Sequence, residues 1–198
     1  YLSVDFAGGV NIDAIVAEIY ESVEAVIAVA GEENDTDVQS ESGLPPHSIE
    51  IIAYGGLDED VAGAIFRRKA AGIQTYGNTS VSVVSSAGTT HKIKFSRPTP
   101  VNVWVKITGL KTDSVFPLDG IDRIKQNIVE YIGSNTRGGM AIGQDVICVT
   151  LPTEVLKVPG VVDFDLQISS NGSAFSRENI TIAAREKAVT DESKVTVE

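Results

Sequence analysis

Ile49-Glu50-Ile51-Ile52-Ala53-Tyr54, then Gly55-Gly56, then Leu57-Asp58-Glu59-Asp60-Val61-Ala62-Gly63-Ala64-Ile65-Phe66-Arg67-Arg68-Lys69 spells a strand, a turn and a helix in one unbroken run. The first six residues are mostly apolar and too few for a buried helix, so Ile49 to Tyr54 is expected to be a strand. The paired glycines stop it and allow a sharp turn. Three carboxylates then open the helix and three cations close it, an order that complements the helix dipole at both ends. Val61, Ala62, Ile65 and Phe66 supply its apolar stripe, and Gly72 is the expected stop. A helix folded back beside a strand in this way points to an α+β domain.

Upstream, Pro45-Pro46 gives a stiff, extended approach to the strand. The acidic run Glu32-Glu33-Asn34-Asp35-Thr36-Asp37 is expected to be a solvated loop, and Val23 to Ala30 a buried strand. Before that, Asn11 caps a helix whose face is Ile12, Ile15, Val16, Ile19 and Val23. Tyr1 to Phe6 is expected to form a short strand ending at Gly8-Gly9. Downstream of Thr79 the period becomes two. Val81 and Val83 alternate with serines, Ser86-Ala87-Gly88 turns, and His91-Lys92-Ile93-Lys94-Phe95 alternates again, which is a β-hairpin. Arg97-Pro98-Thr99-Pro100 breaks the pattern and marks a boundary between domains spanning 1–97 and 98–198.

The second domain opens with Val101, Val103, Val105 and Ile107 on one strand face and Asn102, Trp104 and Lys106 on the other. Asp119 caps a helix with Ile121, Ile124, Ile128 and Ile132 inward and Gly133 at its end. A glycine-rich loop, Arg137-Gly138-Gly139, leads to an expected strand from Asp145 to Leu151. A helical turn at Thr153 to Leu156 and a strand at Val161 to Ile168 follow. Two short strands, Asn179 to Ala184 and Lys194 to Val197, complete the chain. The expected fold is α+β: two small α/β sandwich-like domains, the first in the β-α-β-β-α-β order of ferredoxin-like domains, with the hairpin as an extension.

Composition narrows the function. The 198 residues are 42% apolar and 22% charged, enough apolar chain for a core without metal or disulfide support. The single cysteine, Cys148, sits in Val146-Ile147-Cys148-Val149 and is expected to be a small buried hydrophobe. A formal charge of −11 repels phosphate backbones and anionic membranes, so neither nucleic acid nor membrane insertion is expected, whereas a basic protein surface would be attracted. No run approaches the ~18 apolar residues of a membrane span. No signal peptide is expected at the N-terminus. The chain opens on Tyr1 and is expected to be a processed product or a piece of a longer one.

Catalytic and metal-binding patterns are absent together. His47 and His91 are separated by a whole helix, and neither has a ligand-spaced histidine, cysteine or carboxylate in sequence. A calcium loop needs glycine at its sixth position and glutamate at its twelfth. Counted from Glu33 those places hold Val38 and Leu44; counted from Asp35 they hold Ser40 and Pro46. Gly133 and Gly138 have phosphate-loop spacing, but Gly139-Met140 stands where Lys and Ser or Thr belong. There is no G-x-S-x-G elbow. Asn78-Thr79-Ser80 and Asn171-Gly172-Ser173 match glycosylation sequons, which without a secretion signal are chance matches. No catalytic residue, metal ligand or cofactor is therefore expected, and the chain is not expected to be an enzyme.

Gly43-Leu44-Pro45-Pro46-His47-Ser48-Ile49-Glu50, with Gly55-Gly56, resembles the central signature of the baseplate J-like family. The likeness continues through Val61 to Lys69, through Ala71-Gly72-Ile73-Gln74-Thr75-Tyr76-Gly77-Asn78-Thr79 and into Ile93-Lys94-Phe95-Ser96-Arg97-Pro98. It covers about residues 43 to 107 closely and the rest only in general pattern. The resemblance implies a structural subunit of a contractile tail baseplate wedge, from a phage, a prophage or a related injection device. Such a subunit would be assembled in the bacterial cytoplasm and reside in the virion tail. Its implied partners are other wedge and hub proteins and copies of itself. Family members carry a substantial N-terminal portion that this chain is expected to lack. From the residues themselves, Arg67, Arg68, Lys69 and Trp104 are the candidate assembly contacts, since exposed aromatics and cations favour interfaces in an acidic chain. For Trp104 core packing is the competing role, and for the cations helix-end electrostatics. The alternatives in function are a carbohydrate- or receptor-binding module of a tail appendage, which would need exposed aromatic platforms from a chain only 6% aromatic, and a wall-degrading enzyme.

Overall fold

The computed structural model describes residues 11–198; the strand expected at Tyr1 to Phe6 lies outside them. The chain is α+β and divides into two units, one ending at Pro98 and the other running Thr99–Glu198, one residue beyond the boundary drawn from sequence.

The first unit contains helix α1 (Ile12–Ser22), strands β1 (Val26–Asn34) and β2 (Ser48–Gly55), helix α2 (Asp58–Arg68), strand β3 (Gln74–Tyr76) and the hairpin β4 (Thr79–Val84)/β5 (Thr90–Phe95). The Asn11 side chain caps α1 by accepting from the Ala14 N–H at 2.8 Å. Ile15 and Ile19 of α1 and Val61, Ala62, Ala64 and Ile65 of α2 share a core with Val26, Ile49, Ile51, Ala53, Ile93 and Phe95. Strand β2 is buried from Ser48 to Ala53 without alternation, because its second face is also covered. Ser96 donates its N–H to Ile51 O at 2.8 Å and accepts from the Ala53 N–H at 2.9 Å. The hairpin is thereby stitched to β2.

Four expectations change here. Strand β1 begins at Val26, not Val23, because Val23 is already the cap of α1 and Ala25 turns the chain with φ 57°. It then runs on through Glu32, Glu33 and Asn34, paired antiparallel with Glu50, Ile49 and Ser48. Acidic side chains do not prevent a strand when one edge and part of one face are wet. Buried Asn34 anchors the loop beyond, its amide donating to the carbonyls of Val38, Leu44 and Pro45. Helix α2 ends at Arg68 with Lys69 as cap, before Gly72, and its N-cap Leu57 makes no side-chain bond. The ferredoxin-like order would set the strand after the second helix apart from β2; instead β3 pairs directly and in parallel with β2 through Ser48, Ile49 and Glu50.

The second unit holds β6 (Thr99–Asn102), β7 (Trp104–Thr112), α3 (Gly120–Ile132), α4 (Pro152–Leu156), β8 (Val161–Ser169), β9 (Glu186–Val189) and β10 (Val195–Val197). Strand β7 is central, antiparallel to β8 and parallel to β10, while β6 pairs in parallel with β9. Val103, Val105 and Ile107 meet Ile124, Ile128 and Ile132 of α3, Val155 of α4, and Leu166 and Ile168 in one core.

The single strand expected from Val101 to Ile107 is broken at Val103, whose N–H goes to Val189 O at 2.9 Å as the chain passes from one sheet to the other. Asp145 to Leu151 is not a strand. Val146 makes one bridge to Ile180, and Cys148–Thr150 is a 3-10 turn. The Cys148 N–H is taken by the Asn179 side chain at 3.0 Å, and the Thr150 hydroxyl bonds back to Ile147 O. Asn179 to Ala184 likewise keeps only that bridge. Ile121 is 44% exposed rather than inward, the Phe116 ring lying against Gly120 at this end of α3 instead.

Candidate assembly surface

Residues from Ala53 to Asp58 and the distant Arg97 meet at the turn between β2 and α2. Gly55 and Gly56 have φ of 81° and 74°, and a Cβ on Gly55 would stand 2.4 Å from Ala25 O, so the turn requires glycine there. Arg97, just past β5, closes the turn. One terminal nitrogen donates to Ala53 O (2.9 Å) and Gly55 O (2.6 Å), the other to Gly56 O (2.8 Å). Its Nε and second terminal nitrogen also reach Asp58 Oδ1 at 3.0 and 2.6 Å. The guanidinium carbon lies 5.0 Å from the Phe95 ring centroid. A planar group with several fixed donors can do this; an ammonium cannot. In sequence Arg97 stands at the domain boundary, and its partners, some forty positions upstream, give no local signal.

The cationic end of α2 is turned inward upon the chain itself. Arg67 Nε donates to Glu18 Oε1 at 2.9 Å, Arg68 Nε to Glu18 Oε2 at 2.8 Å, and Arg67 also reaches the Ser22 hydroxyl at 2.8 Å. Hydrogen bonds from Arg68 and then Arg67 hold the Glu18 carboxyl below the usual carboxylate range. Lys69 Nζ donates to the carbonyls of Ala70 and Ile73. The cluster thus ties α2 to α1 and closes the loop after α2. About half of each arginine side chain remains exposed. Trp104, in the other unit, is half-buried. Gly172 sits against its indole, where a Cβ would come within 3.0 Å of the ring. Within the first unit the three cations share one helix end, and within the second Trp104 lies under a loop.

The remaining chemical groups are dispersed. His47 Nε2 lies 2.8 Å from Asp37 Oδ1 in an exposed pair. Sequence spacing assigned His47 no carboxylate; the loop organised by Asn34 supplies one. His91 packs on Phe66, ring centroids 5.0 Å apart. Cys148 is buried, and burial pushes its thiol pKa up, away from a reactive thiolate. It borders an open, mainly apolar groove with Val149, Pro152, Phe164 and Leu166, rimmed by the Asp165–Arg177 ion pair. Among the described residues no three His, Cys, Asp or Glu side chains come together in a way that could hold a metal ion. No described helix is long and apolar enough to cross a membrane.

Among the described residues two ionisable side chains are buried completely, and no sequence pattern marks either. Glu50 of β2 is fully buried and accepts from the Ser96 hydroxyl. Lys187 of β9 is also fully buried. Its Nζ donates to Met140 O at 2.7 Å, and desolvation lowers its pKa. No protein-family model matches the chain, and no curated protein matches it.

Proposed function

We propose that this chain is a structural subunit of a phage or prophage-derived tail baseplate wedge, acting through its shape and surface and not through catalysis. It assembles with other wedge and hub proteins and with copies of itself, in the bacterial cytoplasm, and resides in the tail baseplate. The observation that carries this reading is architectural. The residues of the baseplate J-like signature bind one another: Arg97 from its end fastens Ala53, Gly55, Gly56 and Asp58 from its middle. A motif that satisfies itself in this way fixes an angle between a strand and a helix. Fixed angles are what a part repeated around a ring requires, since small errors prevent closure.

Co-expression with candidate wedge, hub and sheath-initiator proteins, followed by mass measurement of the purified complex, tests it. A stable complex of defined stoichiometry is expected. Failure to associate with any tail protein, together with binding on a glycan array or turnover of cell-wall polymer, would overturn it.

A further inference from the structure

The sheet of the first unit has the order β1-β2-β3, so among the described residues one long side of β1 pairs with no strand. The direction of its backbone groups follows from β2. Ile51 O and the Ala53 N–H both bond Ser96 and so face away from β1. Their partners across the ladder, Gly31 and Val29, are accordingly non-hydrogen-bonded pairs whose own N–H and C=O groups point outward. The alternation extends to Glu33, opposite Ile49. Val29 has its outward N–H capped by the Tyr20 hydroxyl at 2.9 Å. Gly31 and Glu33 are exposed and have no such cap among the described residues. Among the described residues the open edge is therefore short and defined, running from Gly31 to Glu33.

We infer that this edge receives an extended, basic segment of a partner protein as an added strand. Unpaired edge amides and carbonyls are a template for strand addition, and the charge selects the guest. Glu33, Asp35 and Asp37 are exposed beside the edge, and residues 1–98 carry fourteen carboxylates against six Lys and Arg, a net −8. A second copy of the chain would set Glu32 and Glu33 against their own counterparts, and like charges facing across a ladder repel. A strand with lysine or arginine at alternate positions faces no such penalty. It draws on both the backbone template and the field of the acidic end. Gly31 contributes an edge residue with no side chain. A Cβ there would meet Ile12 Cγ2 at 2.4 Å, so α1 occupies the face while the edge stays open. This pairing stands apart from the wedge reading: either can fail while the other holds.

Fluorescence anisotropy at low salt tests it on the full chain. The probes are a labelled short peptide of alternating lysine and valine and the same peptide with each valine replaced by proline. The lysine–valine peptide is expected to bind, and the proline peptide, which cannot pair as a strand, to bind at least about tenfold more weakly. Glu33→Pro removes an outward N–H that no internal bond uses, and should weaken binding about tenfold while leaving the circular dichroism spectrum unchanged. Glu33→Ala, which keeps the N–H, should weaken it less. No binding, equal binding of the two peptides, or indifference to Glu33→Pro would overturn the inference. A dimer that Glu33→Pro dissolves would overturn it too, by giving the edge to a second copy.

Discussion

Arg97 and Asp58 meet across 39 positions of sequence, Nε to Oδ1 at 3.0 Å, at the point where β2 turns into α2. The ion pair is partly exposed and by itself contributes little. Its weight comes from the three carbonyls that the same guanidinium satisfies, those of Ala53, Gly55 and Gly56. Arg97→Ala leaves them without their donor and should lower stability by about 2–3 kcal/mol. Arg97→Lys should recover only a part of this, because one ammonium cannot span the fan. Urea midpoints at unchanged m-value measure both. A lysine variant as stable as the parent would show that charge alone matters here.

Glu18 joins α1 to both arginines of α2, so its loss should be felt and should depend on pH. The folded-state pKa lies below the ordinary value. Its contribution is therefore complete above the ordinary carboxylate pKa and fades as pH falls through the lowered one. Glu18→Gln should cost about 1 kcal/mol at neutral pH, since both arginines are half exposed. The gap between parent and variant should close in acid. A gap unchanged from pH 7 to pH 2 would contradict the assignment.

Lys187 should have the opposite character. Burial lowers its folded-state pKa, so the unfolded chain binds the proton more tightly. The parent then gains stability as pH rises from the folded pKa toward the ordinary lysine value. Lys187→Met removes that slope. It should also stabilise the neutral-pH protein by about 1 kcal/mol, the lost bond to Met140 O offsetting part of the gain. Thermal midpoints for the two proteins from pH 7 to pH 10.5 would converge; parallel curves would refute the reading.

Gly77 and Gly88 have positive φ and unequal surroundings. A Cβ on Gly77 would stand 2.2 Å from the backbone carbonyl of Phe95, whereas one on Gly88 meets nothing within 4 Å. Gly77→Ala must move the hairpin and should cost about 3 kcal/mol or more, Gly88→Ala about 1 kcal/mol. Comparable urea midpoints for the two variants would mean the hairpin yields freely.

Local signals carried most of the elements. The run from Ile49 to Lys69 announces strand, turn and helix because dipole-ordered charges, paired glycines and an apolar stripe act over a few residues. Asn11 as a cap, Gly133 as a stop and the alternation around the Ser86-Ala87-Gly88 turn are legible for the same reason. Where the reading missed, the deciding partner was distant. Val103 leaves its strand because Val189 takes its N–H, and Cys148 bends into a 3-10 turn because Asn179 does the same. Strand β9 was hidden because Lys187 is a charged residue inside a core, which no periodicity predicts.

The candidate surface divides in the same way. Sequence alone determined that Arg67, Arg68 and Lys69 close a helix and that the chain carries a formal net charge of −11. Only the tertiary structure decided that two of those cations share Glu18, that Arg97 fastens the turn between β2 and α2, and that Gly31 and Glu33 of β1 turn their backbone groups away from β2. Helix periodicity and dipole complementarity are properties of a few consecutive residues, readable in order. Ion-pair choice and strand adjacency depend on which segments the shared core brings side by side, and no window of sequence contains both partners.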